Sequence, residues 1–152
     1  MQEAGLELSD EKTRVVDMSV EGQWVEFLGY HFEVMKDKIK HWPRQKSIRK
    51  MQDAIRAKTR RCNGYGLKTI IHDVNEILRG WFGYYKYSYR LTFNQQDSWV
   101  RMRLRSVLRK RSGRSGRGKG FDHIRWPNAY FEAQGLFSMV GAFKAIVSPQ
   151  MR

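Results

Sequence analysis

The sequence contains a single cysteine, and this scarcity excludes two classes of small protein. Cys62 alone cannot form an internal disulfide or build a cysteine-rich zinc site within the 152-residue chain. The chain also has no apolar run close to the ~20 residues that cross a bilayer. Its first residues, MQEAGLELSDEKTR, lack the basic and apolar regions of a secretory signal. We therefore expect a soluble, cytoplasmic protein with no membrane partner.

Residues that could form a catalytic or metal centre are also scarce. Two-metal nucleotidyl transfer needs clustered carboxylates, and the sequence contains no Asp-Asp pair. The segment GRSGRGKG at 113–120 begins like a phosphate-binding loop but has Gly120 where Ser or Thr must bind Mg²⁺. A Ser-His-Asp or Cys-His site stays open, although no spacing favours one. The sequence predicts no catalytic residue, metal site or cofactor, and its histidines are scattered: His31, His41, His72 and His123.

Positive charge is what the sequence has in excess, and it is unevenly distributed. The chain holds 29 Lys and Arg against 15 Asp and Glu, a net charge of +14. Residues 1–33 carry a net charge of −6, whereas residues 34–152 carry +20. A strongly basic body predicts a polyanionic partner, with nucleic acid first and an anionic membrane surface second. The remaining alternative is a generic basic protein with a solvated surface.

The part of the chain before residue 43 has the pattern of a small antiparallel sheet. Residues 14–20 predict a first strand, and Glu21-Gly22 predicts a turn. The stretch WVEFLGYHFEV then predicts one long half-buried strand, which KDK at 36–38 turns back into a partner over 39–42. The residues on one side of the long strand are Trp24, Leu28, Tyr30, Phe32 and Val34. Such a sheet needs a cover, so it either continues elsewhere or packs on the basic body.

Helical periodicity begins after Pro43. Ile48, Met51 and Ile55 recur at helical spacing within 44–61 and predict a first helix. A second helix, the most regular in the sequence, is predicted over 67–88. Its continuous apolar stripe consists of Leu67, Ile70, Ile71, Val74, Ile77, Leu78, Trp81, Phe82 and Tyr85.

The last third of the chain predicts two more helices separated by a loop. Asp97 has the residue type of an N-cap, and it predicts a third helix that starts there and ends near residue 111. Residues 112–120 hold four glycines and no apolar residue, which predicts a flexible loop. After a turn at Trp126-Pro127, helical spacing predicts a final helix with Leu136, Val140, Phe143 and Val147 on its apolar face.

The stretch RGWFGYYKYSYR at 79–90 mixes aromatic rings with cations and has two interpretations. It could be a nucleic-acid platform, because bases stack on rings and cations bind phosphates. It could also be the end of a core helix. Periodicity favours the core for Trp81, Phe82 and Tyr85, leaves Tyr84 undecided, and turns other members of the stretch away from the core.

Cations outside the apolar stripes are the predicted nucleic-acid contacts. Residues 44–61 hold eight bases and one acid, and residues 101–119 hold nine bases and no acid. Such unmixed charge exceeds what solubility requires. The predicted contacts are Arg49, Lys50, Arg56, Lys58, Arg60, Arg61, Arg79, Lys86, Tyr87, Arg101, Arg105, Arg109, Lys110, Arg111, Arg114, Arg117 and Lys119.

Several spaced motifs resemble group II intron reverse transcriptases. LSDEKTRVV and EFLGYHFEV resemble the C-terminal edge of their palm. GWFGYY at 80–85 resembles the Gly-Trp-x-x-Tyr-Tyr signature of their thumb, also called the X or maturase-specific domain. DSW at 97–99 with RMRLR resembles the third thumb helix, and WPNAYF at 126–131 resembles the block that closes the maturase region.

The patterns and the resemblance together predict a mainly α protein. We expect a three-helix thumb-like bundle plus a C-terminal helix, preceded by a small antiparallel β element. The expected organisation is a palm edge over 1–42, a thumb bundle over 43–111, a basic glycine-rich loop over 112–125, and a C-terminal helical part over 126–152.

The resemblance also implies a function. Members of the family bind their intron RNA, assist its splicing and reverse-transcribe it. Their polymerase aspartates lie in a Tyr-x-Asp-Asp motif upstream of the Glu-Lys-Thr strand, so we expect a truncated protein that does not polymerise DNA by itself. The implied partner is intron RNA or an RNA–DNA duplex. Two alternatives are a thumb subunit that acts in trans with a separate finger–palm piece, and a non-functional remnant.

Overall fold

The structure, a computed structural model, describes residues 15–148. A three-stranded antiparallel sheet comes first and helices follow, which confirms the predicted mainly α fold with a small β element. The strands are β1 Trp24–Phe27, β2 Tyr30–Met35 and β3 Lys38–Pro43, in the order β1-β2-β3. The helices are α1 Gln45–Lys58, α2 Leu67–Tyr85, α3 Arg90–Arg111, α4 Asp122–Arg125, α5 Asn128–Ala133 and α6 Met139–Val147. No helix within 15–148 is long and apolar enough to cross a membrane.

The sheet differs from the predicted one in its first half. The predicted long strand is wrong: Leu28 and Gly29 have φ of 50° and 83° and form a turn, so the stretch is the hairpin β1–β2. Glycine at this position accepts the left-handed backbone that alternation alone could not reveal. The predicted strand over 14–20 is also wrong, because residues 15–17 have no regular structure, residues 18–20 form a turn and a bend, and residue 14 lies outside the described residues. The turn at 36–38 and the strand after it are confirmed.

One face of the sheet packs on the helical body. The Tyr30 hydroxyl donates to the carbonyl of Tyr84 at 2.7 Å, and the Tyr84 hydroxyl donates to the carbonyl of Leu28 at 2.6 Å. On β3, the backbone N–H of Tyr89 donates to the carbonyl of His41 at 3.1 Å. Burial raises the pKa of the Tyr30 phenol. The sequence left two ways to cover the apolar face of the sheet, and packing on the helical body is the one seen here.

The core lies between α1, α2, α3 and the C-terminal helices. The second-helix stripe is confirmed, since Val74 and Leu78 are fully buried and Phe82 and Tyr85 nearly so. Trp81 is half-buried at the edge of the same cluster. The largest fully buried side chains are Phe93, Phe131, Ile55, Ile70, Ile71, Leu78, Leu104 and Met139.

The predicted start of the third helix is wrong. α3 begins at Arg90, and Asp97 lies two turns inside it with 4% of its surface exposed. Its carboxylate instead accepts hydrogen bonds from the start of α6: from Ser138 Oγ at 3.0 Å, Met139 N at 3.2 Å and Val140 N at 3.1 Å. Asp97 is therefore a helix cap, but for a helix about 40 residues further along the chain.

The predicted C-terminal helix is confirmed as α6, which contains Val140, Phe143 and Val147, but the predicted place of Leu136 in the same helix is wrong. Gly135, with φ of 87°, ends α5 and separates it from α6, and Leu136 lies in the connection between them. A glycine in the left-handed conformation is a common helix terminator. The short helix α4 lies where the sequence predicted only loop. These breaks bring Asn75 of α2 between α5 and α6, where it donates to Gly135 O at 2.8 Å and accepts from Phe137 N at 2.7 Å.

Candidate nucleic-acid interface

A groove runs between α1 and α2 and meets the β1–β2 turn. It encloses about 860 Å³. On the α1 side, Lys46, Lys50 and Ala54 line it, and their spacing of four residues places them on one helix face. Arg44, just before α1, adds another cation. No acid lines the groove within the described part of the chain, so its wall is positively charged along α1.

The α2 side of the groove is aromatic. Trp81, Tyr84 and Tyr85 line it together with Ile77. Trp81 and Tyr85 have ring centroids 4.8 Å apart, and Tyr84 is 55% exposed although its hydroxyl is bonded to Leu28 O. The structure thus resolves the undecided position: Tyr84 fixes the hairpin through its hydroxyl and leaves part of its ring at the surface.

Two polar atoms at the groove are buried without a partner. They are Nε1 of Trp81 and Nε of Arg44, and neither has a hydrogen-bond partner among residues 15–148. Both are N–H donors, and buried donors are nearly always paired in folded proteins.

The outer surface of α1 and the loop that follows it carry several cations that remain available. Arg49, Lys50, Arg60 and Arg61 are exposed, and none forms a salt bridge with another residue that the structure describes. Two predicted contacts on the same helix are partly neutralised. Arg56 pairs with Asp53 at 2.7 Å, and Lys58 pairs with Asp73 at 3.4 Å. Because exposed pairs of this kind are weak, both side chains can exchange their partner for a phosphate.

Two arginines of α3 fix the end of α1 and the loop that follows. Arg103 donates to Thr59 Oγ1 at 3.2 Å and to Thr59 O at 3.0 Å. Arg111 donates to the carbonyl oxygens of Asn63, at 3.1 Å, and Tyr65. Burial, and then the charges of neighbouring arginines, lower the pKa of Arg103. These bonds bring the C-terminal ends of α1 and α3 together, so their exposed cations form one basic end of the bundle.

Arg105 is the one predicted contact that is fully inside the protein. It is 3% exposed, and its guanidinium donates to Trp126 O at 2.9 Å and to Asn128 Oδ1 at 2.8 Å. It also lies over the ring of Phe131, 5.3 Å from the centroid. Burial lowers the pKa of Arg105. Since its donors are used to hold the start of α5, we leave Arg105 out of the proposed interface.

Arg109 has a similar structural role in the glycine-rich loop. It donates to Ser115 O at 2.7 Å and pairs with the buried carboxylate of Asp122 at 2.8 Å. The backbone N–H of Lys119, followed by the Arg109 guanidinium, lowers the pKa of Asp122. Gly118 N also donates to Ser106 Oγ at 3.0 Å. The loop is therefore fastened to α3 at several points, and it holds its exposed cations, Arg114, Arg117 and Lys119, outward.

The remaining predicted contacts lie elsewhere on the surface. Arg79 is exposed on α2 and lies over the ring of Phe137, 5.5 Å from its centroid. Arg101 donates to Ser98 Oγ at 3.2 Å, and Lys110 is exposed near the end of α3. Lys86 and Tyr87 follow α2 and line a second groove, distinct from the α1–α2 groove.

Sequence reasoning missed three residues that line the groove. Arg44 and Lys46 were counted among the cations of the first helix, but not among the contacts. Trp81 was assigned to the core, although it reaches the groove wall as well. The sequence held a signal for Lys46: its i, i+4 spacing from Lys50 places both side chains on one edge of the apolar face.

Comparison with known proteins gives one result. The family model described as "Group II intron, maturase-specific domain" matches residues 48–126, slightly more than half of the chain. The matched region begins in α1 and ends at Trp126, so it includes the helices that form the groove and the basic end of the bundle. No curated protein matches the chain.

Proposed function

The chain belongs to the group II intron maturase-specific domain family, and from this premise we propose that it binds structured intron RNA and assists its splicing. The single observation that carries the proposal is the cationic wall of α1. Its exposed bases Lys46, Arg49 and Lys50 form no salt bridge with a described residue, and the wall adjoins a groove with aromatic rings on its other side. Intron RNA offers the matching chemistry, with phosphates for the cations and exposed bases for the rings.

The proposed contacts divide into two groups. Arg44, Lys46 and Lys50 would hold phosphates at the α1–α2 groove. Arg60, Arg61, Lys110, Arg114, Arg117 and Lys119 would contact the RNA backbone at the basic end of the bundle. Each phosphate contact adds about 0.7 to 0.9 to the slope of log affinity against log salt. Affinity should therefore fall steeply as salt is raised.

Binding measurements across a salt series test the proposal. The RNAs are the intron RNA that matches the chain and an unrelated structured RNA of equal length. We expect tighter binding to the intron RNA, and a slope that Lys50→Gln reduces by roughly 0.7 to 0.9. Lys144→Gln is the matched control, since Lys144 is an exposed lysine on α6 outside the groove. Equal affinity of both RNAs at every salt concentration would refute the maturase role and leave a generic basic binder.

One observation favours a second function, that of a thumb subunit acting in trans. β1 pairs with β2 only, and no strand within 15–148 pairs with its other edge. Open edges are sites where another strand can add. A separately encoded finger–palm piece is the partner that this proposal requires. Mixing the two pieces should restore RNA-directed DNA synthesis, and failure to do so with a finger–palm piece that binds the chain would refute it.

A further inference from the structure

A second cationic and aromatic groove lies away from the α1–α2 groove, where the sheet, the α2–α3 turn and α6 meet. We call it the tyrosine groove, and it is formed by Ile39, Lys40, Tyr87, Tyr89 and Phe143 with their neighbours. It encloses about 380 Å³. Its floor is apolar, because Phe143, Ile146 and Val147 of α6 face Ile39 of β3 across it. Volumes of this size suit a small ligand or a single extruded group.

Two tyrosine rings stand at the surface of this groove. Tyr87 is 66% exposed and Tyr89 is 49% exposed, although both follow a helix whose other aromatic residues are largely buried. The backbone of Tyr89 is fixed by its hydrogen bond to His41 O. Large exposed rings held on a fixed backbone are typical of recognition surfaces, because they offer contact area at low entropic cost.

Cations accompany both rings. Lys40 Nζ lies 5.1 Å from the ring centroid of Tyr89, and Lys86 Nζ lies 5.3 Å from that of Tyr87. Arg90 lines the groove as well, and no acid does so among the described residues. Glu33 is the register partner of Lys40 on β2, but its carboxylate lies 3.1 Å from His31 Nε2. The groove is therefore apolar at its floor and positively charged at its rim.

The groove also continues past Tyr89. An adjoining depression of about 420 Å³ shares Lys40 and Tyr89 with it and is lined further by Trp42 and Leu91. Tyr89 thus stands between two neighbouring spaces, each with apolar lining and a shared cation. A chain with alternating planar apolar groups and negative charges would match this repeat, since one planar group could occupy each side of the ring.

We propose that the tyrosine groove binds an unpaired stretch of RNA, with bases stacked on Tyr87 and Tyr89 and phosphates held by Lys40, Lys86 and Arg90. An unpaired strand is favoured over a duplex, because paired bases hide their faces from side chains. Stacking on aromatic rings accepts any base, so the site would read single-strandedness and not sequence. The inference rests on the proposed RNA-binding function and assigns to it a second, structurally distinct contact.

The test uses the full chain with two probes: a short single-stranded oligouridylate, which has little stacking of its own and carries one 2-aminopurine, and a fully paired RNA duplex of the same length. Stacking quenches 2-aminopurine fluorescence, so wild type should quench the single-stranded probe on binding. Replacing Tyr87 and Tyr89 by Leu should abolish the quench and weaken single-strand binding about tenfold or more. Duplex affinity should stay within about twofold of wild type. Phe at both positions should restore the quench, since the ring is kept.

Tyr65→Leu is the matched control, because Tyr65 is 67% exposed on the loop after α1 and lies outside both spaces. Unfolding midpoints of all variants exclude misfolding as the cause of lost binding. If wild type binds neither probe, the proposed RNA-binding function itself is overturned. If wild type binds both probes but the two Leu replacements leave quench and affinity unchanged, only the tyrosine groove inference is overturned.

Discussion

Removing the carboxylate of Asp97 should destabilise the protein more than almost any other single polar substitution. In the folded chain this side chain accepts three hydrogen bonds from residues 138–140 at the start of α6. Asp97→Ala leaves these donors without their acceptor beneath a helix end. A hydrogen bond to a charged group contributes a net ~1.5 to 3 kcal/mol, but three such values cannot be added here because the three bonds share one carboxylate. Loss of a helix cap costs ~0.5 to 2 kcal/mol. We expect a loss of about 3 kcal/mol.

Asp97→Asn separates the hydrogen bonds from the charge. It keeps one acceptor oxygen but turns an amide toward N–H donors, so we expect a smaller loss of about 1 to 2 kcal/mol at neutral pH. Burial raises the pKa of Asp97 even though the three hydrogen bonds oppose the rise. The folded chain then holds the proton more tightly than the unfolded chain. Wild-type stability should fall as pH rises from the ordinary carboxyl pKa through the raised one, and this dependence should vanish in the Asn variant.

Urea unfolding followed by circular dichroism measures these effects. In thermal unfolding, the same loss of about 3 kcal/mol corresponds to a fall in Tm of roughly 6 to 12 °C for a chain of this size. Gln95→Ala is the control, because Gln95 is exposed on the same helix and should change stability by less than about 0.5 kcal/mol. If Asp97→Ala matches that control, Asp97 does not anchor α6 and the account of the C-terminal packing is wrong.

Three further substitutions test other contacts of the fold. Gly118→Ala places a Cβ 2.7 Å from that of Arg105, and urea unfolding should show a loss of about 1 to 3 kcal/mol. Gly29→Ala combines a φ of +83° with a Cβ 2.7 Å from the Tyr85 hydroxyl. Protease digestion should therefore cut the hairpin sooner, while the helices stay resistant. Asp122→Asn removes a carboxyl whose pKa is lowered on folding, so the wild-type loss of stability as pH falls through that pKa should disappear from acid unfolding curves.

The helical bundle was predictable because its information is local. The stripe from Leu67 to Tyr85 repeats at helical spacing, and in the structure its members are buried or, like Leu67, Ile77 and Trp81, packed partly buried against the core. The predicted α1 stripe of Ile48, Met51 and Ile55 is likewise buried in the structure. In both helices the apolar period determines which face is buried, and no distant residue changes that outcome.

The errors arose where a residue acts on a partner far away in sequence. Asp97 has the chemistry of a cap, and a local interpretation assigns it to the helix in which it lies. Its actual partner, α6, is visible only after the chain has folded. The hairpin failed for a related reason: alternation of apolar residues continues across Leu28 and Gly29, whereas the backbone reverses there. Periodicity reports side-chain chemistry and carries no information on the sign of φ.

At the candidate interface, a count of charges is limited in the same way as periodicity, because it does not show which partner each cation has. Counting bases predicted that α1 and α3 contribute alike, but the two helices use their cations differently. Arg103, Arg105, Arg109 and Arg111 of α3 donate to backbone or side-chain oxygens inside the chain. Arginine suits this role because its planar fork can serve two acceptors while it stays charged.

The division between α1 and α3 also bears on the affinity for RNA in the proposed function. Affinity for a polyanion depends on the cations that exchange a counterion for a phosphate. A buried guanidinium such as that of Arg105 releases no counterion on binding, although it adds to the net charge. The charge of residues 34–152 therefore overstates the number of RNA contacts. What α3 contributes is position: its arginines fix the end of α1 and the glycine-rich loop, and so hold the exposed cations of both segments on one rigid surface.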